Sequence, residues 1–148
     1  LGTISIMHYP QKYNSVGYLL EGMNVTFGDD KEIIVNGFAT GDLGHIDEDG
    51  FLFITGRKKE IIIKGGWKIM PYEVEKALLE CGAQDAIVFG YDNVYAEVVG
   101  KVDIEMLKQK LVRYKIPKIF TVDAIKRKGQ GKINRKDLYN AYIENRKI

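Results

Sequence analysis

Three charged side chains stand beside glycines in this sequence, in positions where each could act on a sugar or a phosphate. Asp42 ends the run TGD, Arg57 follows a glycine, and Lys132 lies in the run GQGK. A carboxylate can accept hydrogen bonds from two vicinal hydroxyls, and a guanidinium offers a planar fork of donors to phosphate or ribose oxygens. A flexible ammonium can hold two anions together while charge gathers on phosphoryl oxygens. The ordinary alternatives are a turn-capping aspartate, a surface arginine and one lysine among several.

The basic residues are distributed unevenly along the 148-residue chain. Residues 1–100 contain 8 Lys and Arg against 15 Asp and Glu, a net charge of −7, whereas residues 101–148 contain 14 against 5, a net charge of +9. A basic C-terminal third indicates an anionic partner such as a nucleotide, a coenzyme or a nucleic acid. A solvated basic face is the simpler alternative.

The composition gives little support for a metal site, a disulfide or a membrane span. Cys81 is the one cysteine, which excludes an intramolecular disulfide and a multi-cysteine zinc site, and the two histidines, His8 and His45, are isolated. We therefore predict no metal site on this chain. No apolar run approaches the roughly 20 residues of a membrane span, and the pattern of the first residues is not the one expected of a signal peptide. The expected location is cytoplasmic, with no membrane partner.

Hydrophobic patterning predicts strands in the first 70 residues. The stretches SVGYLLEGMNVTF and KEIIVNG read as two short strands around a turn at 28–30, and GHIDEDGFLFITG reads as a hairpin with its turn at 47–50. The run EIIIKGGWKI predicts two strands folded on Gly65 and Gly66, a strong turn pair.

The remaining sequence alternates between helices and strands. Pro71 opens a helix whose apolar face ends at Cys81, and Asp103 is the expected N-cap of a second helix over 103–114 with Ile104 facing inward. Strands are predicted at 85–91, 95–101 and 118–125, and Asn134 caps a last helix over 135–146, with a hydrophobic staple from Ile133 to Leu138. The fold class is α+β: a three-stranded sheet flanked by helices, plus a β-hairpin, after a β-rich segment.

Three motifs in this order resemble the C-terminal part of the adenylate-forming superfamily, which includes acyl-CoA synthetases and adenylation domains of peptide synthetases. TGDLGHIDEDGFLFITGR is similar to the family's TGD…G…GR segment, GRKKEIIIKGGWKIMPYEVE to its hinge motif, and GQGKINRKDL to its SGKxxRxxL tail motif. Together they cover residues 40–138. The first 39 residues fit the family more loosely.

The resemblance gives each candidate residue a role. It implies that Asp42 holds the ribose of ATP, that Arg57 binds the nucleotide, and that Lys132 is catalytic where the substrate carboxylate meets the α-phosphate. It also implies that Lys59, which stands where the family most often has aspartate, is the hinge. Glu60 replaces the usual aspartate at the next position. The thiol-acceptor channel would be lined by a glycine ribbon, Gly65, Gly66 and Trp67, for which a plain hairpin turn with a packed tryptophan is the alternative.

The same resemblance predicts the domain organisation. Residues 1–56 would be the end of the large adenylation domain, 57–59 the hinge, and 60–148 the small C-terminal domain. The family's phosphate loop, its magnesium ligands and the pocket for the acid are expected upstream of this sequence, so the chain by itself is expected to be inactive.

The implied activity is that of an acid–thiol ligase. Such an enzyme uses a small carboxylic acid and ATP with Mg²⁺ to form an acyl-adenylate, then passes the acyl group to a thiol, most often that of CoA. Three alternatives stay open: loading of a carrier-protein thiol, a non-catalytic scaffold, and a basic nucleic-acid-binding module around Tyr114 and Phe120. The last explains the charge but none of the three motifs, so we expect no nucleic acid partner.

Overall fold

The computed structural model describes residues 5–6, 15–127 and 134–148 of the chain. It divides into two compact units, Leu1–Lys59 and Glu60–Ile148, which are called unit 1 and unit 2 below. The described part of unit 1 contains strands and short 3-10 turns, whereas unit 2 contains both α-helices and strands. The mixed α+β class predicted from the sequence is confirmed.

Unit 1 is built around a six-stranded antiparallel sheet with the strand order β1-β2-β6-β5-β4-β3. The strands are β1 (Ser5–Ile6), β2 (Gly17–Leu19), β3 (Val25–Phe27), β4 (Glu32–Val35), β5 (Phe38–Ile46) and β6 (Phe51–Arg57). Ile33, Val35 and Leu52 form its small buried cluster. The two long central strands, β5 and β6, therefore carry the TGD and GR motifs.

The first part of unit 1 differs from the sequence prediction in two ways. The segment predicted as one strand before the turn at 28–30 is split into β2 and β3 by a turn at Gly22, whose φ of +84° is in the left-handed region that favours glycine. The hairpin strands are also longer than predicted, since β5 begins at Phe38 and β6 ends at Arg57. As a result, Asp42 lies within a strand instead of capping a turn.

Unit 2 confirms the predicted order of elements. A hairpin of β7 (Ile62–Lys64) and β8 (Trp67–Ile69) leads into α1 (Pro71–Glu80), β9 (Asp85–Phe89) and β10 (Tyr95–Val99), followed by α2 (Ile104–Lys110), β11 (Lys118–Thr121) and α3 (Arg135–Glu144). The second sheet has the order β11-β10-β9, with β10 antiparallel to β9 and parallel to β11. Its core includes Ile62, Ile69, Val74, Leu78, Val88, Val98 and Leu107.

The helix starts in unit 2 follow from local chemistry. Pro71 occupies the first turn of α1, where its missing N–H costs nothing. The carboxylate of Asp103 accepts from the N–H of Met106 at 3.0 Å, and the amide oxygen of Asn134 accepts from the N–H of Asp137 at 3.1 Å. Both predicted N-caps are therefore confirmed.

Three details of unit 2 correct the sequence prediction. Ile104 is 43% exposed instead of facing inward. The helix α2 ends at Lys110 and is followed by a short 3-10 turn over Arg113–Lys115, so the predicted continuation to residue 114 is wrong. The strand predicted over 118–125 ends at Thr121. The predicted staple involves Ile133, which lies outside the described residues.

Cys81 is buried at the end of α1, as predicted, with 4% of its surface exposed. Burial raises the pKa of its thiol, which keeps it protonated and unreactive at neutral pH. The cysteine is therefore a small core residue of unit 2.

Candidate functional site

Asp42 and Arg57 lie directly opposite each other across the β5–β6 pair. Arg57 Nε is 3.6 Å from Asp42 Oδ1, which is longer than a hydrogen bond, and the side chains are 58% and 39% exposed. An ion pair this open to water is weak and exchanges readily with a ligand. The strand register thus brings together the two residues that the sequence assigns to nucleotide binding.

The backbone around Asp42 is held by three side-chain contacts. The Thr40 hydroxyl donates to the carbonyl of Ile33 at 2.7 Å and accepts from the N–H of Asp42 at 3.1 Å. The N–H of Gly41 donates to Glu32 Oε1 at 3.0 Å. Gly41 has a φ of +77°, so the turn of the chain into Asp42 needs a glycine there.

Glu32 is a central residue of this site that the sequence prediction missed. It is buried, with 8% of its surface exposed, and its second oxygen accepts from Lys58 Nζ at 2.8 Å. The hydrogen bond from Lys58 lowers the pKa of the Glu32 carboxyl, and the same contact raises the pKa of Lys58. The only sequence signal is an acid at the start of the apolar run EIIV, which does not reveal its partner.

A pocket of about 420 Å³ opens beside these residues in unit 1. Thr40, Gly41, Arg57, Lys58 and Lys59 line it. The volume is within the usual range for small-molecule sites. Three cationic side chains at its wall suit an anionic ligand, and Arg57 can bind a phosphate with two parallel hydrogen bonds. The wall of this pocket therefore carries the charge expected for binding an anionic group.

The Gly65–Gly66 turn joins β7 to β8 in unit 2, with φ values of +55° and +84°. A side chain at either glycine would meet no atom within 4 Å, so the backbone conformation and not crowding favours glycine here. Trp67 is 61% exposed, and its ring stacks on Tyr114 at a centroid distance of 5.1 Å. The tryptophan is thus a surface residue supported by one aromatic neighbour.

Arg135 is a second residue that the sequence prediction did not single out. Its guanidinium donates to Glu60 Oε2 and Glu75 Oε1, each at 2.8 Å, and to the carbonyl of Val88 at 2.9 Å. Glu75 Oε1 also accepts from the N–H of Val88 at 3.0 Å. One residue of the tail motif is therefore bound to two of the three acids of the hinge motif.

The far end of α3 is fixed by Tyr142. The residue is 6% exposed, its hydroxyl donates to Glu97 Oε1 at 2.7 Å, and its ring lies 5.0 Å from Phe89 and 4.7 Å from Phe120. Burial, together with the bond to Glu97, raises the pKa of the phenol, so it stays neutral. Arg135 and Tyr142 thus hold, at both ends, the helix that follows the GQGK motif in the sequence.

The predicted site residues fall in different parts of the chain. Asp42 and Arg57 meet in unit 1, which ends at Lys59, and the ribbon of Gly65, Gly66 and Trp67 forms a hairpin in unit 2. Lys132, the predicted catalytic residue, lies outside the described residues. Within 15–127 and 134–148, the structure has no group of three acids, histidines or cysteines that could hold a metal ion. Among the same residues, no helix has the length and apolarity needed to cross a membrane.

Curated relatives of the chain are acyl-CoA ligases. A long-chain-fatty-acid–CoA ligase of Bacillus subtilis is 40% identical over 125 residues, which cover 74% of this chain and 22% of that protein. A 2-succinylbenzoate–CoA ligase of a Geobacillus species is 37% identical over 143 residues, covering 81% of this chain and 29% of that protein. The chain thus spans about a quarter of the length of these relatives. No family model matches it.

Solved structures agree with the sequence relatives. A fatty acyl CoA synthetase of Mycobacterium tuberculosis matches with a TM-score of 0.70 and 28% identity over 90% of this chain and 36% of that one. The ATP-bound MatB of Rhodopseudomonas palustris matches with a TM-score of 0.74 and 27% identity over 87% of this chain and 36% of that one.

The fold is therefore that of the C-terminal part of acyl-CoA synthetases. The chain belongs to the adenylate-forming superfamily of acyl-CoA ligases, as its three motifs predicted.

Proposed function

We propose that this chain is the C-terminal part of an ATP-dependent acid–thiol ligase that forms an acyl-adenylate and transfers the acyl group to CoA. The observation that carries the proposal is the pairing of Asp42 with Arg57 beside a pocket lined by three cations. The acid is a small carboxylic acid, and the enzyme works in the cytoplasm.

In unit 1, the exposed carboxylate of Asp42 accepts hydrogen bonds from the ribose hydroxyls of ATP. Arg57 turns from its 3.6 Å contact with Asp42 to the ribose and phosphate oxygens. Little is lost by breaking so weak an ion pair, and the Thr40 and Glu32 contacts keep the backbone in place meanwhile. The two residues therefore offer a preorganised surface for the nucleotide.

In the first half-reaction, a carboxylate oxygen of the acid attacks the α-phosphorus. The bond from that phosphorus to the bridging oxygen breaks, and pyrophosphate leaves with the electron pair. We assign to Lys132 the neutralisation of the two approaching anions, since an ammonium that reaches both lowers the electrostatic barrier. Lys132 precedes Arg135 by three residues in the sequence, and Arg135 is anchored within unit 2.

In the second half-reaction, the thiol sulfur, as thiolate, attacks the acyl carbon, and AMP leaves. The hairpin of Gly65, Gly66 and Trp67 lines the path of the thiol arm. Its open turn and its exposed tryptophan support this role because they leave one face of the hairpin uncovered in unit 2. CoA is favoured over a carrier protein because the curated relatives are CoA ligases.

The two half-reactions require two arrangements of the small domain, and we place the hinge at Lys59. The division of the chain between Lys59 and Glu60 supports residues 57–59 as hinge, residues up to 56 as the end of the large domain and 60–148 as the small domain. Rotation at the hinge exchanges the Lys132 loop for the glycine hairpin.

A crossed experiment on the complete protein, with the coding sequence that precedes Leu1, tests this proposal. Pyrophosphate release in a single turnover reports the first half-reaction, and acyl-thiol formation from supplied acyl-adenylate reports the second. Lys132→Ala should slow the first by about two to three decades, roughly 3–4 kcal/mol, and spare the second. Lys59→Pro fixes φ and removes an N–H at the hinge. It should leave pyrophosphate release largely intact and strongly slow acyl-thiol formation.

Lys136→Ala is the matched control, because Lys136 is an exposed lysine on α3, four residues after Lys132 in the sequence. It should leave both rates unchanged. Equal rate losses in the two half-reactions for Lys132→Ala would show that Lys132 has a general structural role. Normal thioester formation in Lys59→Pro would show that Lys59 is not the hinge.

A further inference from the structure

We propose that Glu32 and Arg135 are positioning residues that confine the domain rotation to the single residue Lys59. The inference rests on the proposed hinge, and it concerns the two neighbours of that residue. Lys58 precedes Lys59 and is bound to Glu32 in unit 1, whereas Glu60 follows it and is bound to Arg135 in unit 2. Each neighbour is thus anchored to a different unit.

The anchor on the N-terminal side is rigid because its acceptor is rigid. The Glu32 side chain is 11% exposed and lies at the start of β4, whose Ile33 and Val35 are 1% and 0% exposed. Its two oxygens are shared between Lys58 Nζ at 2.8 Å and the N–H of Gly41 at 3.0 Å. Movement of Lys58 away from unit 1 would leave this buried carboxylate short of a partner, which is costly.

The anchor on the C-terminal side is a network of four hydrogen bonds. Glu60 is held by a guanidinium that also donates to Glu75 on α1 and to the carbonyl of Val88 in β9, while Glu75 accepts from the N–H of Val88. The fork of Arg135 keeps its donors in one plane, so displacement of Glu60 disturbs the other contacts as well. Val88 is fully buried in the core of unit 2.

Both anchors together define the pivot. A backbone has two soft dihedral angles per residue, so a large rotation can be absorbed at one or a few positions. Lys58, Lys59 and Glu60 form one short 3-10 turn. With the Lys58 side chain bound in unit 1 and the Glu60 side chain bound in unit 2, a rotation must open this turn at Lys59. Rotation about a single residue limits the orientations that the small domain can adopt. The hairpin and Lys132 can then be brought to defined positions.

Backbone ¹⁵N relaxation of the 148-residue chain tests the inference one residue at a time. Domain rotation takes place in microseconds to milliseconds, so relaxation dispersion and not the order parameter reports it. In the unchanged chain, the exchange contribution should be largest at Lys59 and small at Lys58 and Glu60. Glu32→Gln should raise the exchange contribution at Lys58 and leave Glu60 unchanged. Arg135→Lys, which keeps the charge but loses the fork, should raise it at Glu60 and leave Lys58 unchanged.

Glu105→Gln is the matched control, since it removes an exposed pair with Lys108 inside α2, and residues 57–62 should not respond. If Glu32→Gln or Arg135→Lys fails to fold, Lys58→Gln and Glu60→Gln remove the same contacts from the hinge side. Equal exchange contributions at all residues from 57 to 61 in the unchanged chain, or equal responses of Lys58 and Glu60 to each substitution, would overturn the proposal. This readout needs no catalysis, so it remains decisive even if the ligase activity is not found.

Discussion

Both units contain an arginine paired with carboxylates, and the pairs differ in distance and in exposure to water. The Arg57–Asp42 pair in unit 1 is 3.6 Å apart, and both side chains are open to water. Arg135 in unit 2 makes two contacts of 2.8 Å with Glu60 and Glu75, and these three side chains are 18–25% exposed. The first pair leaves donors and acceptors for a ligand, whereas the second uses them within the fold.

An arginine and a carboxylate can therefore bind a ligand or stabilise the fold, depending on their distance and exposure. A loose pair in water contributes little to stability, so a nucleotide can replace it at small cost. A tight pair with partly buried partners is costly to break, because removal of one member leaves the other charges uncompensated. The three predictions below test this contrast, in order of decreasing effect.

The largest expected difference is in stability. Arg135→Ala should lower the free energy of unfolding of unit 2 by about 2–4 kcal/mol, because it leaves two partly buried carboxylates and a carbonyl without their donor. Arg57→Ala is the matched substitution in unit 1 and should change its stability by less than about 1 kcal/mol. Urea unfolding followed by residue-resolved amide exchange measures the two units separately. Similar losses for both variants would end the contrast.

For ATP binding, the order of the two arginines should be the opposite, with the larger loss at Arg57. In the complete protein, Arg57→Ala and Asp42→Asn should each weaken ATP binding by about 1.5–3 kcal/mol, roughly 10- to 100-fold in Kd, through loss of hydrogen bonds that involve a charged group. Calorimetric titration with a non-hydrolysable ATP analogue gives the constants. Lys136→Ala, which changes an exposed lysine on α3, serves as the control and should bind the analogue normally. Unchanged affinity in Asp42→Asn would exclude this residue from the nucleotide site.

The smallest expected effect is on how the stability of each unit changes as the pH falls. Glu32 in unit 1 has a lowered pKa through its hydrogen bond from Lys58, and Asp85 in unit 2 has a lowered pKa through its contacts with Arg127 at 2.6 and 2.7 Å. A carboxyl whose pKa is lower in the folded state stabilises the fold above its unfolded pKa, near 4. That contribution is lost as the pH falls through the folded value.

Glu32→Gln should therefore flatten the acid side of the stability curve of unit 1 alone, and Asp85→Asn should do the same for unit 2 alone. Amide exchange between about pH 3 and 6 resolves the two curves. A flattened curve in the wrong unit would show that these carboxyls do not act where the contacts place them.

Local sequence determined much of this protein. Gly65 and Gly66 specify a tight hairpin turn, Pro71 starts a helix, and Asp103 and Asn134 cap the next two, since each acts on backbone groups within a few residues. The motifs that contain Asp42 and Arg57 also indicated the superfamily. The same local rules failed at the ends of elements, as at α2, where tertiary contacts decide how far a helix or strand continues.

Only the tertiary structure revealed Glu32 and Arg135. Glu32 and Lys58 are 26 residues apart in sequence, and Arg135 reaches back 60 residues to Glu75 and 75 to Glu60. Glu32 is an ordinary charged residue in the sequence, and Arg135 is the arginine of the tail motif, but the sequence shows the partners of neither. Periodicity and capping rules describe neighbours along the chain and not the partner that folding supplies. The register of β5 with β6 likewise placed Asp42 opposite Arg57. The chemistry could thus be predicted from residue types and spacing, whereas which charges are held and which are open to a ligand depends on packing between distant segments.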